Sequence, residues 1–264
     1  MQVDLQDKVA LVTGGGNGIG RSIVLALAAN GARVAIVDIA LAAAEQVVAE
    51  VSQAGGTCIS LCGDVTDYPA MEHVVAEVIA RWGRLDILVN NAGINTSGGR
   101  VPLHEYPLEV WNKIISVDLD GVFKTSRAAI PAILRGGGGR IVNISSVAGL
   151  VPLRLQSAYV AAKAAVANLT RSMALEYGPK GILVNAVAPG STLTQGTQAL
   201  FYGPSGAYTQ NAASLLAHIP LGRPGRTEEI AAAVLFLVAP EASYINGVVL
   251  PVDGGWLAGY MRDW

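Results

Sequence analysis

The chain has 264 residues, a formal net charge of −2 at pH 7 and 14% charged residues. Its 18 basic and 20 acidic residues provide no basic patch for a nucleic acid or an anionic membrane, so we expect neither as a partner. An acidic start without a basic region, and the lack of any run of about 18 apolar residues, predict a cytoplasmic protein.

Short apolar runs of strand length alternate with helix-period segments along the chain. The strand-like runs are residues 8–14, 33–39, 57–65, 84–93, 140–146, 181–190 and 247–255. Between the second and third runs, Ala44, Val47, Val48 and Val51 follow the i, i+3, i+4, i+7 spacing of a helix face. The alternation is typical of βαβ units. It predicts one α/β domain over 1–264, a doubly wound sheet of about seven parallel strands with helices on both faces.

Two cysteines, Cys58 and Cys62, lie in the third strand-like run, about 13 Å apart in an extended chain. A disulfide requires Cα atoms within about 7 Å, so we expect two unbridged, buried small residues. The histidines and cysteines match no zinc-binding spacing, and no metal is predicted.

A glycine-rich turn, TGGGNGIG over residues 13–20, joins the first strand-like run to a helix-like segment. Glycines at Gly14, Gly18 and Gly20 allow a tight turn that brings backbone amides and a helix N-terminus against a pyrophosphate. The turn therefore predicts a dinucleotide site in a Rossmann-type sheet.

The second strand-like run ends in Asp38, near the position at which dinucleotide-binding proteins carry a ribose-binding acid. A carboxylate accepts hydrogen bonds from a ribose 2′-hydroxyl and repels a 2′-phosphate. Since Gly16, Asn17 and Ile39 supply no compensating cation, the predicted cofactor is NAD rather than NADP.

An alanine-rich helical segment carries Tyr159 and Lys163 four residues apart, on one helix face. An ammonium beside the tyrosine favours its phenolate, so the hydroxyl could exchange a proton with a substrate alcohol. By itself, this spacing favours an ordinary surface pair over a catalytic one.

Several motifs in order resemble the short-chain dehydrogenase/reductase family over practically the whole chain: TGGGNGIG, Asp64-Val65, NNAG at 90–93, Ser146, YVAAK at 159–163 and PGSTLT at 189–194. The resemblance implies that Ser146, thirteen residues before the tyrosine, orients and polarises the substrate oxygen. It also implies that Tyr159 is the acid/base and that Lys163 binds the nicotinamide ribose and tunes Tyr159. The implied cofactor-binding residues are Gly14, Asn17, Gly18, Ile19, Gly20, Asp38, Ile39, Asp64, Val65, Asn91, Ala92, Gly93, Tyr159, Lys163, Pro189, Gly190, Thr192 and Thr194.

One position departs from the family pattern: Asp118 stands where the family has an asparagine, forty-one residues before the tyrosine. A carboxylate only accepts hydrogen bonds, whereas an amide also donates them. We expect the Asp118 carboxylate to face Lys163 as an altered fourth member of the catalytic set. The alternative is that Asp118 points away and caps or kinks its helix.

Two segments lie outside the strand–helix alternation. Residues 191–226 are rich in small and polar residues with a weak helical pattern, and we predict a substrate lid there. Residues 254–264 place Trp256, Tyr260 and Trp264 after the last strand, which predicts a subunit-interface tail. The apolar composition and small side chains on long helices near 108–134 and 156–177 predict a homotetramer.

The predicted activity is NAD-dependent hydride transfer between the nicotinamide and a secondary alcohol or ketone. A sugar or polyol is favoured by polar residues expected at the entry: Asn95, Thr96, Ser97, Arg100, Arg154, Gln156 and Ser191. One alternative is a 3-oxoacyl-thioester reductase that uses NADPH. Asp38 argues against NADPH, and no basic cluster is visible in the sequence that would receive an acidic carrier protein. Another alternative is a scaffold protein that binds NAD without turnover. Its best support is the replacement of the family's asparagine by Asp118.

Overall fold

A parallel sheet forms the centre of the computed structural model, which describes residues 1–95, 100–203 and 206–259. Its strands are β1 (Val9–Thr13), β2 (Arg33–Asp38), β3 (Thr57–Cys62), β4 (Ile87–Asn90), β5 (Gly139–Ile144) and β6 (Ile182–Pro189), with β9 (Val249–Val252) at one edge. Within the described residues the sheet has seven strands in the order β3–β2–β1–β4–β5–β6–β9, and every neighbouring pair is parallel. The predicted doubly wound α/β sheet is therefore confirmed.

Helices cover both faces of this sheet. They are α1 (Gly18–Ala29), α2 (Leu41–Gln53), α3 (Tyr68–Trp82), α4 (Leu108–Ile115), α5 (Gly121–Arg135), α6 (Ser157–Tyr177), α7 (Gln198–Phe201), α8 (Gln210–Leu216) and α9 (Thr227–Val238). One face packs against α1, α2 and α9, and the other against α3, α5 and α6. In β1, Ala10 and Val12 enter the first core, and Val9 and Leu11 enter the second. Because successive strand residues point to opposite faces, a strand buried on both sides must be apolar throughout.

Strand order reverses between β1 and β4, since the chain moves outward from β1 to β3 and then returns to the other side of β1. In open α/β sheets, such a reversal leaves a crevice beyond the carboxyl ends of the two strands. The glycine-rich turn follows β1 and the NNAG motif follows β4, so both reach this crevice.

A π-helical turn at Ser116–Asp120 interrupts the long helix predicted near 108–134, and α4 and α5 lie on either side of it. Single π-helical turns inside α-helices are frequent at functional sites because they re-aim side chains. The turn contains Asp118, whose side chain is fully buried.

Residues 191–226 contain more regular structure than their weak pattern indicates. Besides α7 and α8, two short strands, β7 (Thr192–Leu193) and β8 (Gly225–Arg226), pair in parallel at the two ends of the segment. Glu229 lies just beyond β8. Its carboxylate accepts hydrogen bonds from the Arg223 guanidinium and from the Arg226 backbone N–H, and these bonds lower the pKa of the carboxyl to about 2. The segment is therefore anchored at its base, and a lid role remains a prediction.

The cysteine prediction was wrong in part: both cysteines are free, and Cys58 is buried, but Cys62 is exposed. Cys62 is the last residue of β3, which is an edge strand and lacks the cover of a central one.

The aromatic tail is described as far as Gly259, and its interface role stays a prediction. Trp256 is half-buried and packs in a cluster with Phe201, Ala212 and Leu216 of the predicted lid, so its own chain covers it. Tyr260 and Trp264, together with the predicted entry residues Thr96 and Ser97, lie outside the described residues. In the described ranges, no helix combines the length and the apolar character needed to span a membrane.

Candidate active site

A cavity of about 1480 Å³ opens at the carboxyl ends of the sheet strands. Its wall contains every residue predicted for catalysis or cofactor binding: Gly14, Asn17, Gly18, Ile19, Gly20, Asp38, Ile39, Asp64, Val65, Asn91, Ala92, Gly93, Asp118, Ser146, Tyr159, Lys163, Pro189, Gly190, Thr192 and Thr194. The fold thus brings together residues that lie on strands, helices and loops between Gly14 and Thr194.

The glycine-rich turn fits a phosphate-binding cradle. Gly14 has φ +63°, and a Cβ at Gly20 would lie 2.1 Å from the Gly14 carbonyl oxygen. Asn91 fastens the turn to β4, since its Nδ2 donates to the carbonyl oxygens of Thr13 and Gly14 at 2.9 Å each. Asn17 stands at the N-cap of α1 without a side-chain hydrogen bond to the helix. The first-turn N–H groups are therefore available for an anion such as a pyrophosphate.

At the end of β2, Asp38 is half-buried and faces the glycine-rich turn. Its Oδ2 accepts a hydrogen bond from the Gly16 N–H at 3.0 Å, and its Oδ1 accepts one from the Ala40 N–H at 2.9 Å. Each carboxylate oxygen retains further acceptor capacity. The group can therefore hold the turn and also accept hydrogen bonds from ribose hydroxyls.

Other predicted cofactor residues take part in local turns. Asp64 accepts from the Thr66 N–H at 2.8 Å. The Thr194 hydroxyl lies 3.1 Å from that of Thr197, and the Thr192 hydroxyl donates to the Gly190 carbonyl at 3.1 Å. These contacts give each residue a structural task whether or not it touches a cofactor.

The two serines after β5 have different surroundings. The Ser145 hydroxyl donates to the Lys163 carbonyl oxygen at 2.8 Å and joins β5 to α6. The Ser146 hydroxyl lines the cavity and accepts from the Ala148 N–H at 3.1 Å. Its proton is therefore free to be donated to a substrate oxygen.

Lys163 lies at the centre of the candidate catalytic group. Its Nζ is 3.1 Å from Asp118 Oδ2, donates to the Ile144 carbonyl oxygen at 3.2 Å, and lies 5.7 Å from the centroid of the Tyr159 ring. The other Asp118 oxygen accepts from the Ile94 N–H at 2.8 Å. The carboxylate therefore faces the lysine, as expected, instead of pointing away from it.

Burial lowers the pKa of the Lys163 ammonium, but the Asp118 carboxylate and then the Tyr159 hydroxyl outweigh that effect, and the pKa is raised above its usual range. The buried lysine is consequently a cation at neutral pH.

Several residues lining the cavity were not found by sequence reasoning: Lys113, Val117, Leu153, Phe201, Ala212 and Leu215. Lys113 is exposed on α4 and the others are ordinary apolar residues, so no motif or spacing marked them. Trp256 also lines the cavity, although its sequence position indicated a subunit interface.

Comparison with known proteins identifies the family. A family model described as enoyl-(acyl carrier protein) reductase matches residues 14–257. The chain belongs to the short-chain dehydrogenase/reductase family. Relatives in this family include trans-4-hydroxycyclohexanecarboxylate dehydrogenase of Sinomonas cyclohexanicum, which is 40% identical over 259 residues, covering 96% of this chain and 94% of the relative. A 3-oxoacyl-[acyl-carrier-protein] reductase of Thermotoga maritima is 39% identical over 251 residues, or 95% of this chain and 98% of the relative.

Solved structures of short-chain dehydrogenases/reductases have the same fold. A putative NAD(P)-dependent gluconate 5-dehydrogenase from Beutenbergia cavernae, with bound NADP at low occupancy, matches with a TM-score of 0.88 and 38% identity. The match covers 97% of this chain and 99% of that one. This short-chain dehydrogenase/reductase is thus an oxidoreductase with a nicotinamide cofactor, NAD or NADP, and a small-molecule substrate.

Proposed function

We propose that this protein is an NAD-dependent dehydrogenase that oxidises a secondary alcohol carried on a ring to a ketone, or catalyses the reverse reaction. The observation that carries the proposal is the shared cavity, in which Ser146, Tyr159 and the Lys163–Asp118 pair line the same wall as the glycine cradle. When bound, the nicotinamide would accept the hydride that leaves the carbinol carbon.

The residues of the chain supply the proton chemistry. Ser146 donates its hydroxyl hydrogen to the substrate oxygen and orients it, while its oxygen accepts from the Ala148 N–H. Tyr159 removes the proton of the substrate hydroxyl, and the positive charge of Lys163 stabilises the phenolate that does so. In ketone reduction, Tyr159 returns the proton.

Asp38 supports NAD over NADP. A 2′-phosphate at the end of β2 would meet a carboxylate that already holds the Gly16 N–H. The described part of the cavity wall contains four cations: Arg100, Lys113, Arg154 and Lys163. None of them belongs to the glycine-rich turn or to the end of β2, where Asp38 lies. We find no cation beside Asp38 that would neutralise a phosphate.

A ring alcohol is supported by the 40% identity to a dehydrogenase of a hydroxycyclohexane compound. Cyclic sugars and polyols belong to the same class, and the predicted entry residues Asn95, Arg100, Arg154, Gln156 and Ser191 line the cavity. The apolar Leu153, Phe201, Leu215 and Trp256 line it as well and suit a carbon ring.

A second candidate is a 3-oxoacyl-thioester reductase, which the 39% identity to such an enzyme favours. Its substrate would be an acyl thioester and its cofactor NADPH, whose 2′-phosphate the Asp38 carboxylate opposes. The third, a non-catalytic NAD-binding protein, is opposed by the assembled Ser146, Tyr159 and Lys163.

The test is a spectrophotometric screen at the absorbance of reduced nicotinamide. Purified protein is supplied with NAD or NADP and with cyclohexanols, cyclic polyols, sugars or open-chain alcohols, and in the reverse direction with ketones and 3-oxoacyl thioesters. We expect the highest kcat/KM with NAD and a ring alcohol. Preferred turnover of thioesters with NADPH would establish the second candidate, and no turnover with any substrate would favour the third.

A further inference from the structure

Acidic and basic residues of the cavity wall lie on different segments of the chain. Asp38 and Asp64 line it beyond β2 and β3, whereas Arg100, Lys113 and Arg154 line it on segments that lead to the catalytic residues. Lys113 is in the last turn of α4, immediately before the π-helical turn of Asp118, and Arg154 precedes Tyr159 by five residues. Because Lys113 and Arg154 lie on segments that also carry catalytic residues, we expect them on the substrate side of the cavity.

These three cations are unpaired within the described part of the chain. Among residues 1–95, 100–203 and 206–259, none of the three has an ion pair or a side-chain hydrogen bond. The remaining cation of the wall, Lys163, is paired with Asp118. Unpaired cations in the wall of one cavity contribute a positive potential that attracts an anion.

Two residues after Arg154, the side chain of Gln156 also lines the cavity. Gln156 is only 5% exposed, and its side chain makes no hydrogen bond within the described part of the chain. Its amide N–H groups and its amide oxygen are therefore available to hydrogen-bond a polar group of a ligand in the cavity.

The backbone between these two residues is strained. Leu155 has φ +65°, a left-handed conformation that side chains branched beyond Cβ rarely adopt. Such strain persists where the surroundings over-determine it and is concentrated at ligand-binding sites. Here the left-handed residue stands between two residues that both line the cavity.

We propose that the substrate of this enzyme bears a carboxylate at a distance from its reacting hydroxyl, and that Arg154 and Gln156, assisted by Lys113 and Arg100, bind that carboxylate. A guanidinium can donate two parallel hydrogen bonds to a carboxylate, and an amide N–H can donate another. The inference rests on the proposed function, to which it adds the charge of the substrate.

The first experiment compares matched substrates. The kcat/KM for oxidation is measured with NAD for 4-hydroxycyclohexanecarboxylate and for its neutral carboxamide, each as separate cis and trans isomers, with cyclohexanol as the unsubstituted reference. We expect the acid to be preferred over the amide by about 10- to 100-fold for the better isomer, since hydrogen bonds to a charged group are strong. We also expect the preference to decrease as salt is added.

The second experiment assigns the preference to residues. Arg154→Met is expected to lower the acid-to-amide ratio of kcat/KM by about 10-fold. Arg135→Met, at an exposed arginine in the last turn of α5 that does not line the cavity, should leave the ratio unchanged. If Arg154 has only a structural role, Arg154→Met will lower kcat/KM equally for the acid and the amide. The ratio would then be unchanged, and the assignment would be overturned. Lys113→Met on the surface of α4 provides a second test if the first variant does not fold.

Failure of the inference and failure of the proposed function give different results. Oxidation of cyclohexanol and the amide at rates equal to that of the acid would overturn the carboxylate site and leave the dehydrogenase standing. If no alcohol is oxidised, calorimetry of the NAD-loaded protein with unreactive cyclohexanecarboxylate decides the question. Binding that is about 10-fold weaker in Arg154→Met supports the site, and lack of binding to the wild type overturns it.

Discussion

The Asp118 carboxylate and the Lys163 ammonium form a buried ion pair, with Oδ2 and Nζ 3.1 Å apart. The family pattern has an asparagine in place of the aspartate, so this pair adds a negative charge close to the acid/base group. A Cβ at Gly93 would lie 3.1 Å from Asp118 Oδ2 and 3.2 Å from Lys163 Nζ, which shows how closely the NNAG motif covers the pair.

Replacing Asp118 by asparagine should change the pH dependence of alcohol oxidation. The carboxylate partly cancels the field of Lys163 at Tyr159, so it opposes loss of the phenolic proton. In Asp118→Asn, we expect the ascending limb of the kcat/KM profile to move about one pH unit lower with little loss of maximal rate. Asp120→Asn, in the same π-helical turn but outside the cavity wall, is the matched control. An inactive Asp118→Asn enzyme or a shift to higher pH would contradict this explanation.

Removing Lys163 should destabilise the protein because Asp118 would lose its counter-ion. In Lys163→Met, a fully buried carboxylate loses its counter-ion, at a cost of about 3–5 kcal/mol. The double variant Lys163→Met/Asp118→Asn should recover part of this loss, and urea denaturation without cofactor measures both. Additive effects would exclude coupling between the two residues.

The same pair predicts how that stability depends on pH. Because the pKa of Lys163 is raised in the folded state above its ordinary value of 10.5, the contribution of the ammonium is complete below that pH and is lost as pH rises through the folded pKa. The difference in stability between the wild type and the double variant Lys163→Met/Asp118→Asn, which lacks both titrating groups, should therefore stay constant as pH is raised from neutral and change only in strongly alkaline solution.

Substituting Tyr159 by phenylalanine should abolish turnover and spare cofactor binding, since only the exchangeable proton is removed. We expect kcat to fall by about 10²- to 10⁴-fold, with nearly unchanged NAD affinity in a fluorescence titration. Tyr177→Phe, at the end of the same helix, is the control. Appreciable activity of Tyr159→Phe would assign the acid/base role to another group.

Cofactor preference should depend on the charge of Asp38. Asp38→Asn removes the charge and keeps an oxygen that can accept from Gly16 or Ala40, whereas Asp38→Ala removes both. Both variants should narrow the gap between NAD and NADP in kcat/KM, because the repulsion of a 2′-phosphate is gone. Equal efficiency of the two cofactors in the wild type would show that the charge argument is wrong.

The protein should be a tetramer in solution. Phe123 on α5 is 51% exposed and Leu175 on α6 is 81% exposed, so the two longest predicted helices leave apolar side chains uncovered in a single chain. Sedimentation at micromolar concentration should give four times the chain mass of 27.2 kDa. Leu175→Asp should weaken the assembly, and Leu103→Asp, at an exposed leucine outside both helices, should not. A wild-type monomer would refute the proposal.

Patterns local to the chain were sufficient to predict the fold. In β1, the four residues from Val9 to Val12 are apolar because alternate residues enter opposite cores, and in α2, Ala44, Val47 and Val51 are buried at the predicted spacing. The glycine-rich turn depends on backbone geometry near the motif, whereas Ser146 was predicted from the resemblance to the family. For the strand, the helix and the turn, neighbours in sequence supply the physical constraint.

Only the tertiary structure decided what distant residues do to each other. The sequence left open whether Asp118 faces Lys163 or caps its helix, because a π-helical turn has no characteristic side-chain pattern and the orientation depends on how α5 and α6 pack. Trp256 packs on residues of the predicted lid, and Arg154 and Lys113 share one cavity, although nothing in their local sequence relates them. Apolar residues at helix or strand spacing indicate which way their side chains face, but a single charged residue does not. The surroundings of Arg154 and Lys113 are therefore known only from the folded chain.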